Sequence, residues 1–83
     1  MAKSIYDVVK KMPRNLFMKL RRELRESPDY YLITMDPRHV PEDEKSRARQ
    51  KFLRFGIPER MIDTDEGLEH AAWAVQGRST SVK

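Results

Sequence analysis

The sequence predicts a mainly α fold, a compact bundle of four or five short helices, with residues 30–35 as the one stretch where a short strand competes. Three observations carry this prediction. Apolar residues recur on one helical face in four separate stretches. Prolines stand where helices begin, at Pro13, Pro41 and Pro58, and each is followed by residues that favour a first helical turn. No stretch besides 30–35 has the β-branched and aromatic character of a strand, so a strand there lacks a neighbour within the chain.

The first helix is expected over about residues 5–12. Ser4 and Asp7 form a weakened capping box, and Ile5, Val8, Val9 and Met12 follow at i, i+3, i+4 and i+7. Pro13 either kinks this helix or opens the next, whose apolar face is Leu16, Phe17, Leu20 and Leu24 and whose end falls near Glu26. Ser27, Pro28 and Asp29 read as a helix start, whereas Tyr30 to Thr34 read as a strand; the helix is favoured because a lone strand must pair with another chain. Asp36 to Val40 form a turn. Pro41 at the first helical position, with Glu42, Asp43 and Glu44 behind it, opens a helix that buries Ala48, Phe52 and Phe55 and stops at Gly56. Pro58 restarts a short turn through Ile62. Asp63 or Thr64 caps the last helix, whose buried stripe is Leu68, Ala71, Ala72 and Val75 and whose terminator is Gly77. The expected organisation is one helical domain over residues 1–77 and a disordered C-terminal tail at 78–83, since Arg78 to Lys83 include no apolar anchor.

Composition narrows the functional classes. With 83 residues, 39% hydrophobic and 36% charged, the chain is too short for two domains, too apolar for disorder and too charged for a membrane protein. No run nears the roughly 18 apolar residues of a membrane span. The expectation is a cytoplasmic protein with no membrane partner. The absence of cysteine excludes a disulfide framework, thiolate metal ligands and a cysteine nucleophile. The run Asp63 to His70 gathers oxygen ligands, but Gly67 and Ala74 fall at the wrong positions for a calcium loop. His39 and His70 are the only imidazoles, and no nucleophile elbow, phosphate loop or dinucleotide fingerprint is present. No catalytic residue, metal or cofactor is therefore expected, and the chain is read as no enzyme.

Charge carries the remaining signal. The net charge is +4, and its excess lies toward the front: residues 1–29 hold eight basic and four acidic side chains, residues 56–83 three and five. Such polarity steers an anionic partner toward the first half. With Leu20 at zero on a wheel of about 100° per residue, Arg21, Arg14, Arg25, Met18 and Arg22 fall between about 100° and 200°. Arg14 and Arg21 have no acid three or four residues away, whereas Arg22 faces Glu26 and Arg25 faces Asp29. Arg47, Lys51 and Arg54 form a secondary basic patch, partly answered by Asp43 and Glu44. Trp73 lies off the apolar stripe of its helix, and with Tyr30 and Tyr31 it is a candidate aromatic anchor.

These residues predict a small regulatory or inhibitory accessory protein, in size class like those bacteria and their phages encode, that binds a partner protein. The binding residues are Arg14, Met18, Arg21, Arg22, Arg25, Trp73, Tyr30 and Tyr31, and a nucleic-acid-handling complex is one suitable target. A sequence-tolerant nucleic-acid binder that contacts phosphates is the competing reading; the acidic segment after Gly56 does not suit a recognition helix. A self-assembling structural subunit, or a homo-oligomer, is the third. All depend on the arginines staying free of the chain's own Asp63, Asp65, Glu66 and Glu69.

Overall fold

The computed structural model describes residues 4–81, with side chains through Arg78. Five α-helices and two 3-10 turns follow one another, and no strand occurs among the described residues. Helix α1 spans Ile5–Lys10, capped by the Ser4 hydroxyl, which accepts from the Asp7 backbone N–H at 3.2 Å. It is two residues shorter than the apolar spacing suggests. Met12 precedes Pro13, and the proline ring pushes that residue away from helical geometry. Helix α2 spans Arg14–Arg25. Pro13 and Pro41, expected within the first helical turn, are instead the N-caps, one position before the first helical residue, with φ −56° and ψ of 142° and 146°. The extended ψ suits a capping position, while the carbonyls still accept the first helical bonds, from Phe17 N–H at 2.9 Å and Lys45 N–H at 3.1 Å.

Residues Tyr30–Ile33 form a single helical turn, α3. The strand alternative fails for a local reason: with no adjacent strand, the backbone bonds within itself, Leu32 N–H to Asp29 O at 3.0 Å and Asp36 N–H to Leu32 O at 2.7 Å. A 3-10 turn at Pro37–His39 leads to helix α4, Glu42–Arg54. Gly56, with φ +93°, reverses the chain after α4 as a left-handed residue that only glycine adopts without strain. A second 3-10 turn, Glu59–Met61, precedes helix α5, Asp65–Ser81.

The last helix runs past its expected terminator. Gly77 does not terminate the helix, and Arg78 is anchored. Its Nη1 donates to Val9 O at 2.7 Å and Met12 O at 2.9 Å, and its guanidinium lies 4.3 Å from the Phe17 ring centroid. The anchor is polar instead of apolar: it satisfies carbonyls near the C-terminus of α1 and stacks on a buried ring. Residues 82 and 83, the rest of the expected tail, lie outside the described residues.

The core is continuous, with Phe17, Leu20, Leu24, Ile33, Phe52, Ile62 and Leu68 all buried. Phe55, expected inside, is only half-buried. One charged residue joins the core: Lys45, 3% exposed, extends the α4 stripe of Ala48 and Phe52 by one turn. Its ammonium donates to both oxygens of Asp65 at 3.0 Å and pairs with Glu42 at 2.9 Å. Arg49 reinforces the junction through Asp65 at 3.3 Å and Ile62 O at 2.8 Å. This network fixes the start of α5 against α4.

Two pairs of substitutions test this packing. A Cβ on Gly67 would collide with the Met61 carbonyl, whereas nothing lies near one on Gly77. Gly67→Ala is expected to cost about 1–3 kcal/mol, while Gly77→Ala gains about 0.5–1 kcal/mol of helix propensity; urea unfolding measures both. Asp65→Ala, which strips the buried ammonium of its inner partner, should cost about 3 kcal/mol. Glu42→Ala at the exposed partner should cost under about 1 kcal/mol. Equal losses at the two acids would contradict the asymmetry.

Candidate partner-binding site

Helix α2 carries five cations, Arg14, Lys19, Arg21, Arg22 and Arg25, and one carboxylate, Glu23. Its balance of +4 equals that of the whole chain. Glu23 faces α4, where its carboxylate takes Arg54 at 3.1 Å and its backbone carbonyl takes Lys51 Nζ at 2.7 Å. Arg47 pairs with Glu44 at 2.8 Å. The secondary patch Arg47, Lys51 and Arg54 is therefore not a free surface: two of its members bind α2 to α4, and the third answers an acid on its own helix.

The arginines of α2 differ. Among the described residues, Arg14, Arg21, Arg22 and Arg25 have no carboxylate at ion-pair distance. The spacing of Arg22 to Glu26 and of Arg25 to Asp29 suggests two intrahelical pairs, and neither forms. Asp29 lies in the turn after α2, off the helical path on which such pairs meet, whereas Glu26, the C-cap, keeps helical backbone angles and its side chain does not reach Arg22. The acids of the rear do not cover the arginines either. Asp65 is held by Lys45 and Arg49, while Glu66 and Glu69 line a separate groove with Met35, Pro37 and Arg38.

A cleft of about 170 Å³ opens beside this face. Helix α2 supplies Arg21 and Arg25, the α3 segment supplies Tyr30, Tyr31 and Thr34, and α5 closes the cleft with Val75 and Gln76. Tyr31 is 63% exposed. Tyr30 is turned inward, its hydroxyl donating to Ala72 O at 3.3 Å. Burial raises the Tyr30 phenol well above its ordinary value, against the opposing pull of Arg25 and Arg21. The Nε of Arg21 is buried and has no hydrogen-bond partner among the described residues.

The candidate site residues thus divide. Arg21, Arg25, Tyr30 and Tyr31 meet in the cleft. Arg14, Met18 and Arg22 are exposed on α2 outside it, at helical spacings that extend the basic band. Trp73 does not join them. Its Nε1 donates to Thr34 O at 2.6 Å and its ring meets His70 edge-on at 5.1 Å, beside a different groove lined by Tyr6 and Lys10. Tyr6 completes that aromatic stack, its hydroxyl 2.8 Å from His70 Nδ1. Trp73 is 40% exposed, tethered on one edge and open on the other.

Thr34, Val75 and Gln76 are the cleft residues that sequence reasoning misses. No local signal marks them, because only the docking of α3 on α5 brings them beside Arg21. Lys45 has a legible signal, a lysine on an apolar stripe three residues before Ala48. No helix among the described residues is long and apolar enough to cross a membrane, and no cluster of metal-ligating side chains occurs among them. Comparison of the chain with protein-family models, with curated proteins and with solved structures returned no match.

The buried phenol and the buried ammonium set an alkaline limit. Tyr30 is raised by burial above 10.0, and Lys45 is raised above 10.5 by its hydrogen bonds to Glu42 and then Asp65. In each case the folded state holds its proton more tightly, so the contribution is complete below the ordinary value and is lost as pH rises past it. Stability is expected to fall above about pH 10. Tyr30→Phe should flatten this fall and remove a tyrosinate absorbance step that accompanies unfolding; urea melts across alkaline pH check both.

Proposed function

We propose that this chain is a small non-enzymatic binding protein that regulates or inhibits a partner protein by docking an acidic surface of it on the basic face of α2. The single observation behind this reading is the contrast in charge pairing. Every basic residue named on α4 is tied to the protein itself, whereas Arg14, Arg21, Arg22 and Arg25 have no carboxylate partner among the described residues. An acidic partner surface supplies what they lack, raising the rate of encounter and fixing register.

The neighbours of the arginines favour a protein over a nucleic acid. Met18, Tyr31, Leu32 and Met35 are all at least 41% exposed on α2 and the α3 segment. Methionine, tyrosine and arginine are enriched in protein interfaces, whereas methionine and leucine give phosphates and bases little to hold.

The double variant Arg21→Glu, Arg25→Glu tests the proposal in a pull-down from lysate with and without nuclease. Arg25 is exposed and Arg21 half-buried, so the variant should keep the native circular dichroism spectrum and lose no more than about 3 kcal/mol of stability, while a nuclease-resistant protein captured by the native chain is lost. Unchanged capture would remove the basic face from consideration. Capture that nuclease abolishes, with log K falling by about 0.9 per phosphate neutralised as log salt rises, would transfer the face to nucleic acid.

A further inference from the structure

The cleft between α2, α3 and α5 has three properties that point to one kind of occupant. Its size suits a single ring or branched aliphatic group: the volume is about 170 Å³, and a cavity of about 150 Å³ lined by apolar side chains accepts benzene. Val75 and the rings of Tyr30 and Tyr31 make its walls mostly apolar. Arg21 and Arg25 also line it, and the Nε of Arg21 is buried with no hydrogen-bond partner among the described residues. Buried donors in folded proteins are almost always bonded, so a ligand that brings an acceptor oxygen suits this site. A carboxylate matches the planar fork that Nε and Nη present.

We infer that the cleft receives one acidic–apolar residue pair of a partner polypeptide: the apolar side chain lies against Val75 and Tyr31, and the adjacent Asp or Glu carboxylate accepts from Arg21 Nε–H and from the Arg25 guanidinium. This rests on the function proposed above and narrows it to a recognised sequence element. Tyr31 and Gln76, which line the cleft, are exposed, so their side chains are free to move as the carboxylate enters. The grooves beside Trp73 and Met35 are less suited. The Trp73 groove has its indole N–H and its arginine already bonded within the protein. The groove by Met35 is bordered by Asp36, Asp65, Glu66 and Glu69, which repel a carboxylate.

The arginine Nε–H gives a direct readout, because its nitrogen-15 NMR resonance shifts when a hydrogen bond forms. The probes for the full chain are the capped tripeptides Glu-Phe-Glu, Glu-Ala-Glu and Lys-Phe-Lys and a short oligothymidylate. Glu-Phe-Glu should shift the Arg21 Nε–H together with the amides of Thr34 and Gln76. Glu-Ala-Glu should bind at least about tenfold more weakly, as expected for loss of a buried phenyl group, and Lys-Phe-Lys should not bind. Gln76→Phe, which fills the cleft, and Tyr31→Ala, which removes a wall, should each weaken Glu-Phe-Glu by about tenfold. The amide spectrum and the melt show whether each variant is folded, and the second variant serves if the first is not.

Equal affinity for Glu-Phe-Glu and Glu-Ala-Glu, or no loss in a folded cleft variant, overturns the cleft assignment. If Arg21→Glu, Arg25→Glu still abolishes binding in that case, the basic-face reading survives alone. A resonance that responds to oligothymidylate and to neither acidic peptide overturns both. A resonance that responds to none of the four probes assigns the donor to a trapped water and also overturns the cleft proposal.

Discussion

Ala71 and Ala72 are wholly buried on α5, and because each presents only a methyl group, neighbouring segments approach this helix closely. Helix α1, the α3 turn and both 3-10 turns all dock on it. Leu68, Ala74 and Val75 extend this buried surface to either side, so α5 gathers α1, α3 and both 3-10 turns while α2 and α4 pack on each other. The two ends of α5 are then fixed by polar contacts. At the start, Lys45 and Arg49 hold Asp65; near the end, Arg78 reaches the carbonyls at the close of α1 and lies over Phe17. A chain of this size has little core to spare, and fastening both ends of its longest helix limits fraying where apolar burial runs out.

That arrangement has a consequence for charge. Six cations are drawn into the fold: Lys45, Arg47, Arg49, Lys51, Arg54 and Arg78 each meet a carboxylate or a backbone carbonyl. Helix α4 contributes five of these, and two of the five, Lys51 and Arg54, use Glu23, the only acid on α2. What remains on α2 is a band of arginines without a carboxylate partner among the described residues. By helical spacing Glu23 lies about 100° around α2 from Arg22, on the side that meets α4, so the packing of α4 takes up the one acid of α2 and leaves the arginine side uncovered.

The α3 turn connects this charge to the cleft. Four residues are too few to form a stable helix alone, and this one is held by Ile33 in the core, by the Tyr30 hydroxyl on Ala72 and by the Trp73 indole on Thr34. With Tyr30 turned inward and Tyr31 outward, adjacent tyrosines do different work. One closes the floor of the cleft beneath Arg21 and Arg25, and the other offers a ring at the opening.

The helices, their apolar stripes and their proline starts were legible in the amino-acid sequence, because capping and periodicity depend on residues within one or two turns of each other. The +4 balance of α2 was equally legible. Contacts across long sequence separations were not. The sequence signals Gly77 as a stop, yet Arg78 finds carbonyls more than sixty residues away and the helix continues. The charge spacing pairs Arg25 with Asp29, yet the chain turns before that acid can face its arginine, and the Arg22–Glu26 pair that the spacing also suggests is not formed. Tyr30 to Thr34 have strand propensity, and only the absence of a neighbouring strand and the presence of α5 make them a helical turn. Local chemistry thus determined which segments are helices and where positive charge accumulates. Tertiary packing alone decided which arginines remain unpaired and which residues join Arg21 at the cleft, since both depend on side chains brought together from distant helices.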